Sequence, residues 1–600
     1  MNTPARFILG LGFAFVVLLL LESLLGFLPL DRYERGFPAV SYPVFVPGEG
    51  ESAGSYVTNP HFKSSMNIQR FDRRKARGKT RIFILGSSAA MGWPGNAESA
   101  FSGILRRALD SAYPGKFEIV NAAGLSYASH RVLDVLHDVL DHEPDFVLIY
   151  SGNNEYVERN VLPPPARSRA ARAANRILRD KNIYRSVRLL LHRFAPSLFI
   201  RPDGPDLTDL RASPVRRKEP VRNPDVDRDV LENYRKNVAE MAKVLRGRAV
   251  RGAICTVPVN LSGWVPTDVF PVFEDAQSRA RWNELMRAAF AAYYGNRDAE
   301  AERLFRSVAA VSPGYATARF FRGDSLRRLG RYPEAREEYA AACEYDGRPI
   351  RELPSFNRSL LAESESLRFP VIDLAEGFAK HRGNDIEGKE LFIDYCHPNE
   401  TGHKVIAGIV LREIVRIMDL REIDGDLVTK RIWDDPVAAR YYMSPNVLYA
   451  RGMTSENNGD LVGAEKYYRE TLRVDPGYPE AMGNLGFVLY RRGDRKEAEE
   501  YFVRSLEKDP GLANSLMMLG LIRHQGGKLP EAKEYLSRLL RREPDRPDAL
   551  ELMGDIASAE GDWQAARAYY TRVRSAGGDN EPLRRKISGA ESAPHDRSRP

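Results

Sequence analysis

The run Asp394-Tyr395-Cys396-His397 places a carboxylate three residues before an imidazole, and far upstream Gly86-Ser87-Ser88 follows a short apolar run. A serine hydroxyl becomes a competent nucleophile when an imidazole takes its proton, and the imidazole serves best when a carboxylate holds its other nitrogen. Ser88, His397 and Asp394 have the residue types for that relay. Two more segments carry hydrogen-bond donors that can face a ligand. In Asn121-Ala122-Ala123-Gly124 a glycine lets a backbone N–H approach a ligand, and Ser151-Gly152-Asn153-Asn154-Glu155 supplies a side-chain amide.

These segments need a scaffold that brings them to one edge. Arg81–Leu85, Phe117–Val120, Asp145–Tyr150, Ala253–Val257 and Phe369–Asp373 are short β-rich apolar runs that read as buried parallel strands. Segments 98–112, 129–141, 227–246 and 399–418 read as the helices between them. This alternation predicts a doubly wound α/β sheet, in which ligands bind beyond the carboxyl ends of the strands. Four of the candidate chemical segments fall at such positions. His130, His137 and His142 read as solvated or core-rim histidines, His403 as structural, and Cys396 as a packing residue beside the histidine. The three cysteines, Cys255, Cys343 and Cys396, have no metal-ligand spacing, which excludes a disulfide framework and a structural zinc site. No cofactor is implied.

A second pattern has a strict period. Gly452, Gly486, Gly520 and Gly554 recur every 34 residues, as do Gly459, Gly493, Gly527 and Gly561, then Ala464, Ala498, Ala532 and Ala566, then Tyr468, Phe502, Leu536 and Tyr570. Pro476, Pro510 and Pro544 close three of the units. Each unit reads as helix, turn, helix, and the pattern resembles the tetratricopeptide repeat. Gly323, Gly330, Ala335 and Tyr339 repeat the same offsets in mid-chain, preceded one period earlier by Ala289, Ala301 and Phe305. Stacked hairpins of this kind expose a concave groove, which implies a protein partner.

The strand-end segments together resemble the SGNH (GDSL-type) hydrolase family. Gly86-Ser87-Ser88 is similar to its Gly-Asp-Ser block, with serine at the middle position; Gly124 is similar to its second-block glycine; Gly152-Asn153-Asn154-Glu155 is similar to Gly-x-Asn-Asp; Asp394 to His397 matches Asp-x-x-His. The resemblance implies that Ser88 attacks an ester carbonyl, His397 acts as general base and Asp394 orients it. It also implies an oxyanion hole made by the N–H groups of Ser88 and Gly124 and the amide of Asn154. Water and a sugar hydroxyl are equivalent acceptors for an acyl-serine, so esterase and O-acyl transferase both remain open. An assembly scaffold with an inactive hydrolase-like domain is the reading from a different class.

The 600 residues are 43% apolar and 28% charged, which excludes a disordered or many-span membrane chain. Phe7 to Leu21 is uncharged, and the apolar character resumes after Glu22 through Leu30, long enough together to span a bilayer of roughly 30 Å. With Arg6 ahead of it and balanced charges after it, this segment predicts an uncleaved anchor with the rest of the chain extracytoplasmic, on a bacterial periplasmic face. The net charge of +8 is concentrated in an arginine-rich stretch, with arginines at 167, 169, 172, 176, 179, 185, 188 and 193, and does not point to nucleic acid. That stretch reads as a basic amphipathic segment lying on an anionic membrane, capping the site or packing on the core. The expected organisation is an anchor (1–30), a juxtamembrane linker (31–77), a hydrolase-type core in two parts (78–275 and 350–420) with an Arg/Pro-rich insertion (160–226), two inserted repeats (282–349), four appended repeats (445–578) and a disordered tail (579–600). An ester, with acylated envelope polysaccharide as the attractive acceptor or substrate, is the expected small partner.

Overall fold

The computed structural model describes residues 43–63, 65–157, 224–267, 271–347, 349–575 and 581–592. The expected anchor and almost all of the arginine-rich insertion lie outside the described residues. Among the described residues no helix is long and apolar enough to cross a membrane.

The first described elements are strands β1 (Phe45–Pro47), β2 (Ser55–Thr58) and β3 (Arg70–Asp72), which form a small antiparallel sheet inside the stretch expected to be a linker. This corrects the linker reading: Phe45 and Phe71 are buried and meet edge to face at 4.9 Å, and Phe71 meets Phe83 of the main sheet at 5.5 Å. Burial of these aromatics fixes the segment against the core.

The main sheet is parallel and five-stranded, built from β4 (Thr80–Gly86), β5 (Phe117–Asn121), β6 (Phe146–Tyr150), β7 (Arg251–Cys255) and β8 (Val371–Ile372) in the order β5-β4-β6-β7-β8. Alternate residues serve opposite faces. Ile82, Ile84, Leu148 and Ala253 join one core, while Phe83, Leu85, Val147 and Ile149 join the other. A strand buried on both faces has no polar alternation, which is why these runs read as continuous apolar stretches.

A short helix α1 (Ser88–Met91) follows β4, then α2 (Phe101–Ala112), α3 (Ser129–Val139) and α4 (Pro224–Gly247). After β7 the chain leaves the sheet for two helical hairpins, α5 (Ala276–Tyr294) with α6 (Asp298–Val311) and α7 (Ala316–Arg328) with α8 (Tyr332–Glu344). It returns through α9 (Pro354–Ala362) and α10 (Ser364–Leu367) to β8, then α11 (Leu374–Arg382) and α12 (Glu400–Met418). Buried residues of α2 and α12 share the core with Ile82 and Ile84; those of α3 and α4 share the opposite core. The sheet is thus covered by helices on both faces, as predicted.

Two helices with no sequence-level prediction, α13 (Gly425–Trp433) and α14 (Pro436–Tyr442), lead into four hairpins: α15 (Pro445–Asn457) with α16 (Leu461–Val474), α17 (Pro479–Arg492) with α18 (Arg495–Lys508), α19 (Ala513–Gln525) with α20 (Leu529–Arg542), and α21 (Pro547–Ala559) with α22 (Trp563–Ser575). The 34-residue grammar has a packing cause. A Cβ added at Gly452 would stand 2.4 Å from the Tyr468 ring, and one at Gly554 would stand 2.4 Å from Tyr570, so the small residue of one helix admits the large residue of its mate. The expected disordered tail (579–600) also needs correction, because Glu581–Ser592 form α23. Its Leu583, Ile587 and Ala590 are buried against Tyr570 and Val573, covering the apolar side that a terminal hairpin otherwise exposes.

Phe502 is fully buried against Gly486, inside the α17–α18 hairpin, and truncating such a ring costs about 3–5 kcal/mol. Because repeat stability is transmitted mainly between neighbours, Phe502→Ala is expected to raise hydrogen exchange in 479–542 while leaving β4–β6 protected. Equal loss of protection in the sheet would refute that separation.

Candidate active site

Gly86 ends β4 directly opposite Tyr150, the last residue of β6. A Cβ at position 86 would lie 2.1 Å from the Tyr150 carbonyl oxygen, so the close approach of the two strand ends requires glycine. Ser87 and Ser88 follow at the turn into α1, where the first N–H groups of a helix have no helical carbonyl to bond. Ser88 is therefore held at the junction of β4 and β6, the point at which strand order reverses.

The Asp394–His397 turn reaches this junction from the far end of the chain. His397 Nε2 lies 2.8 Å from Ser88 Oγ, and His397 Nδ1 lies 2.8 Å from each Asp394 carboxylate oxygen. Asp394 Oδ1 also accepts the N–H groups of Cys396 and His397, each at 3.0 Å. The three-residue spacing is thus a closed turn around the carboxylate, which fixes both partners. Ser88, His397 and Asp394 are all buried, and the Trp93 ring packs on the imidazole with centroids 4.5 Å apart. An apolar ring there limits water around the Ser–His pair and strengthens its hydrogen bond.

The expected oxyanion donors fare differently. The Ser88 N–H opens α1. Asn154 is buried after β6, and its amide donates one hydrogen to Tyr127 O at 3.3 Å, leaving the second hydrogen of the group. Gly124 departs from the prediction: its N–H donates to Gly86 O at 3.0 Å, because the β4–β5 ladder continues past Asn121. Asn121 fixes this loop, donating to Ala90 O at 2.9 Å and Ser102 Oγ at 2.8 Å while accepting from Ala123 N at 3.1 Å. Glu155 accepts from Ser129 N at 2.7 Å and Ser129 Oγ at 2.8 Å, which ties the Asn154 loop to the start of α3.

Cys396 is buried with Sγ 3.8 Å from His397 Nδ1. Donor atoms of Asp394, Cys396 and His397 lie within 4.8 Å of one another, a spacing compatible with a metal ion. The carboxylate and Nδ1 are already bonded to each other, so a metal would have to displace the proton between them.

Sequence reasoning missed Asn260 and Trp93. Asn260 Nδ2 donates to Asp394 O at 2.7 Å, and its N–H donates to Tyr395 O at 3.1 Å, so it holds the Asp394–His397 turn. Its place just past β7, at the ligand edge of the sheet, was the available signal. Trp93 had none, since its ring joins Ile393, Tyr442, Val447 and Ala450, from segments far apart in the chain.

Two family models described as tetratricopeptide repeat match the chain, one at residues 286–349 and 517–581 and the other at 457–522. The helical hairpins at those positions are tetratricopeptide repeats, an architecture that binds protein partners. No curated protein matches the chain by sequence. Among solved structures the chain is similar to PilF of Pseudomonas aeruginosa at 19% identity and a TM-score of 0.23, covering 31% of this chain and 88% of that one. It is similar to YrrB, a repeat protein with an unusual peptide-binding site, at 16% identity and a TM-score of 0.22, covering 32% and 91%. It is also similar to a lipolytic protein of the G-D-S-L family from Desulfitobacterium hafniense, at 11% identity and a TM-score of 0.25, covering 55% and 98%.

His403 and His142 are buried and serve the packing of the α/β domain. His403 Nδ1 accepts the Phe101 N–H at 3.3 Å, and burial, with His397 nearby, lowers its pKa from 6.5 to about 3. Burial likewise lowers His142 to about 4. Unfolded histidines take up protons below about pH 6.5 while these two stay neutral, so folding stability rises with pH between roughly 4 and 6.5 and is insensitive to them above 7. His403→Gln keeps an acceptor for Phe101 and is expected to flatten the acid-side loss by up to about 1.4 kcal/mol per pH unit. Urea midpoints at pH 7, 6 and 5 check this, and identical slopes in the two proteins would refute it.

Proposed function

We propose that this chain is a serine ester hydrolase of the SGNH type, anchored in a bacterial inner membrane by residues 1–30, with its α/β domain and repeats on the periplasmic side. The observation that carries the chemistry is the continuous hydrogen-bonded line from Asp394 through both ring nitrogens of His397 to Ser88 Oγ, at 2.8 Å per step. Ser88 Oγ attacks the ester carbonyl as His397 Nε2 takes its proton. The tetrahedral oxyanion is held by the Ser88 N–H and the second amide hydrogen of Asn154. His397 returns the proton to the leaving alkoxide, an acyl-Ser88 remains, and a second hydroxylic molecule deprotonated by His397 releases the acid or a new ester.

That second molecule decides between hydrolysis and O-acyl transfer, since water and an alcohol enter the same step. Acylated envelope polysaccharide suits the proposed location as substrate or acceptor, and the repeats would hold a protein partner beside it.

Turnover of a chromogenic acetyl ester by the full-length protein tests the reading. Ser88→Ala is expected to abolish it, and Asn154→Ala to lower kcat by about 10²–10³. Turnover that survives Ser88→Ala would overturn the nucleophile. No turnover by the unaltered protein with any short-chain ester would favour a scaffold with an inactive domain. Adding an alcohol acceptor and separating the acid from the new ester distinguishes hydrolase from transferase.

A further inference from the structure

The inserted repeats return to the sheet through a short segment that carries two adjacent ionisable residues, Arg351 and Glu352, each only 1% exposed. Burying an arginine and a glutamate side by side is costly unless each has a defined task. They do not pair with each other. Arg351 faces Asp346 at 3.8 Å and donates to the carbonyl oxygens of Asn260 and Trp264, both in the loop after β7. Asn260 is the residue whose amide and N–H hold Asp394 O and Tyr395 O. Two hydrogen bonds, with Asn260 between them, therefore connect the Arg351 guanidinium to the backbone of the Asp394–His397 turn.

Glu352 points the other way. Its N–H donates to Asn153 Oδ1 at 3.1 Å. Its carboxyl lies against Gly152, where a Cβ would stand 2.2 Å from Oε2, so a side chain at position 152 would push the acid aside. Gly152 also has φ of +153°, a backbone state that other residues rarely adopt. Neither carboxyl oxygen has a hydrogen-bond partner among the described residues, and burial with Glu155 nearby raises the pKa well above the usual carboxylate range. Glu352 thus sits as a wedge against the Gly152-Asn153-Asn154 turn.

We propose that Arg351 and Glu352 are positioning residues of the catalytic site, through which the inserted repeat block fixes the Asp394–His397 turn, by way of Asn260, and the Asn154 turn, by way of Gly152 and Asn153. This rests on the serine-hydrolase reading for its kinetic consequence, but the mechanical link stands on the contacts themselves. Neither residue touches the reacting atoms. Each acts on the angle and distance of a group that does, and small misplacements of such groups lower the rate by up to about 100-fold.

The test compares Arg351→Met with Arg351→Lys and Glu352→Ala with Glu352→Gln in the full-length chain, by ester kinetics and by hydrogen exchange. Arg351→Met and Glu352→Ala are expected to lower kcat at least about tenfold with KM within about twofold. Glu352→Gln, which is neutral and of the same shape, is expected to restore kcat, and Arg351→Lys to restore part of it. Exchange is expected to rise in 391–398 for Arg351→Met and in 150–156 for Glu352→Ala, with β4, β5 and the appended repeats unchanged. Unchanged kcat in both truncations, or exchange that rises evenly through the sheet in every variant, would overturn the proposal. Exchange needs no turnover, so a chain that hydrolyses no ester would defeat the proposed function while the exchange pattern still decides the link.

Discussion

The hydrogen bond between Ser88 Oγ and His397 Nε2 joins residues 309 apart in sequence, and most of the architecture follows from keeping it short. Ser88 is fixed by the first strand of the main sheet, whereas His397 arrives after an excursion through four repeat helices. The sheet absorbs that excursion by pairing the strands on either side of it. Cys255 of β7 lies in register with Ile372 of β8, Thr256 N donates to Ile372 O at 3.0 Å, and Thr256 Oγ1 donates to Asp373 Oδ1 at 2.8 Å. The cost of closing a loop grows only slowly with its length. Because the inserted segment is itself folded, its two ends emerge at fixed places and the sheet closes over them.

The same requirement accounts for the polar groups buried around the site. Asp394, His397, Asn153, Asn154 and Asn260 are all buried at the carboxyl edge of the sheet, where a hydrogen bond is stronger than in water but an unmade one is costly. Most are satisfied by backbone groups of neighbouring loops instead of by one another, which converts side-chain chemistry into loop geometry. Asp394 Oδ1 collects two backbone N–H groups as well as the imidazole, so the carboxylate cannot rotate without breaking its own turn.

Legibility from sequence tracked how local each feature is. The strands were readable because both faces are buried, and the repeats because the contact of a glycine with a large apolar residue, as in Gly452–Tyr468 and Gly520–Leu536, recurs at one period. The Asp394–His397 relation was readable because it lies within a single turn. β1 to β3 were not, since three or four residues show no period, and α23 was hidden in a charged tail whose apolar residues matter only against α22. The Gly124 donor failed for another reason. Its residue type fits an oxyanion role, but the continuing β4–β5 ladder claims its N–H, and no residue type reports where a backbone group is aimed. Arg351 and Glu352 were invisible because their partners lie 91 and 199 residues away.

Both repeat blocks meet the core at the loop that follows β7. From the inserted block, Arg351 bonds Asn260 and Trp264, Asp346 accepts from Thr267 N at 3.1 Å, and Arg336 of α8 pairs at 2.6 Å with Glu387, whose carbonyl accepts from Leu261 and Ser262. From the appended block, Asn458 accepts from Val265 N at 3.2 Å and donates to Gly263 O at 2.6 Å. The loop between these anchors carries Asn260, which in turn holds the Asp394–His397 turn. Trp93 adds a second route, packing on His397 with one side while sharing a cluster with Val447 and Ala450 of α15. A solenoid joined to an enzyme by a flexible tether would need none of these contacts. Here both repeat blocks are hydrogen-bonded to the loop that holds the Asp394–His397 turn, so each is joined to the α/β domain by side-chain contacts as well as by the chain.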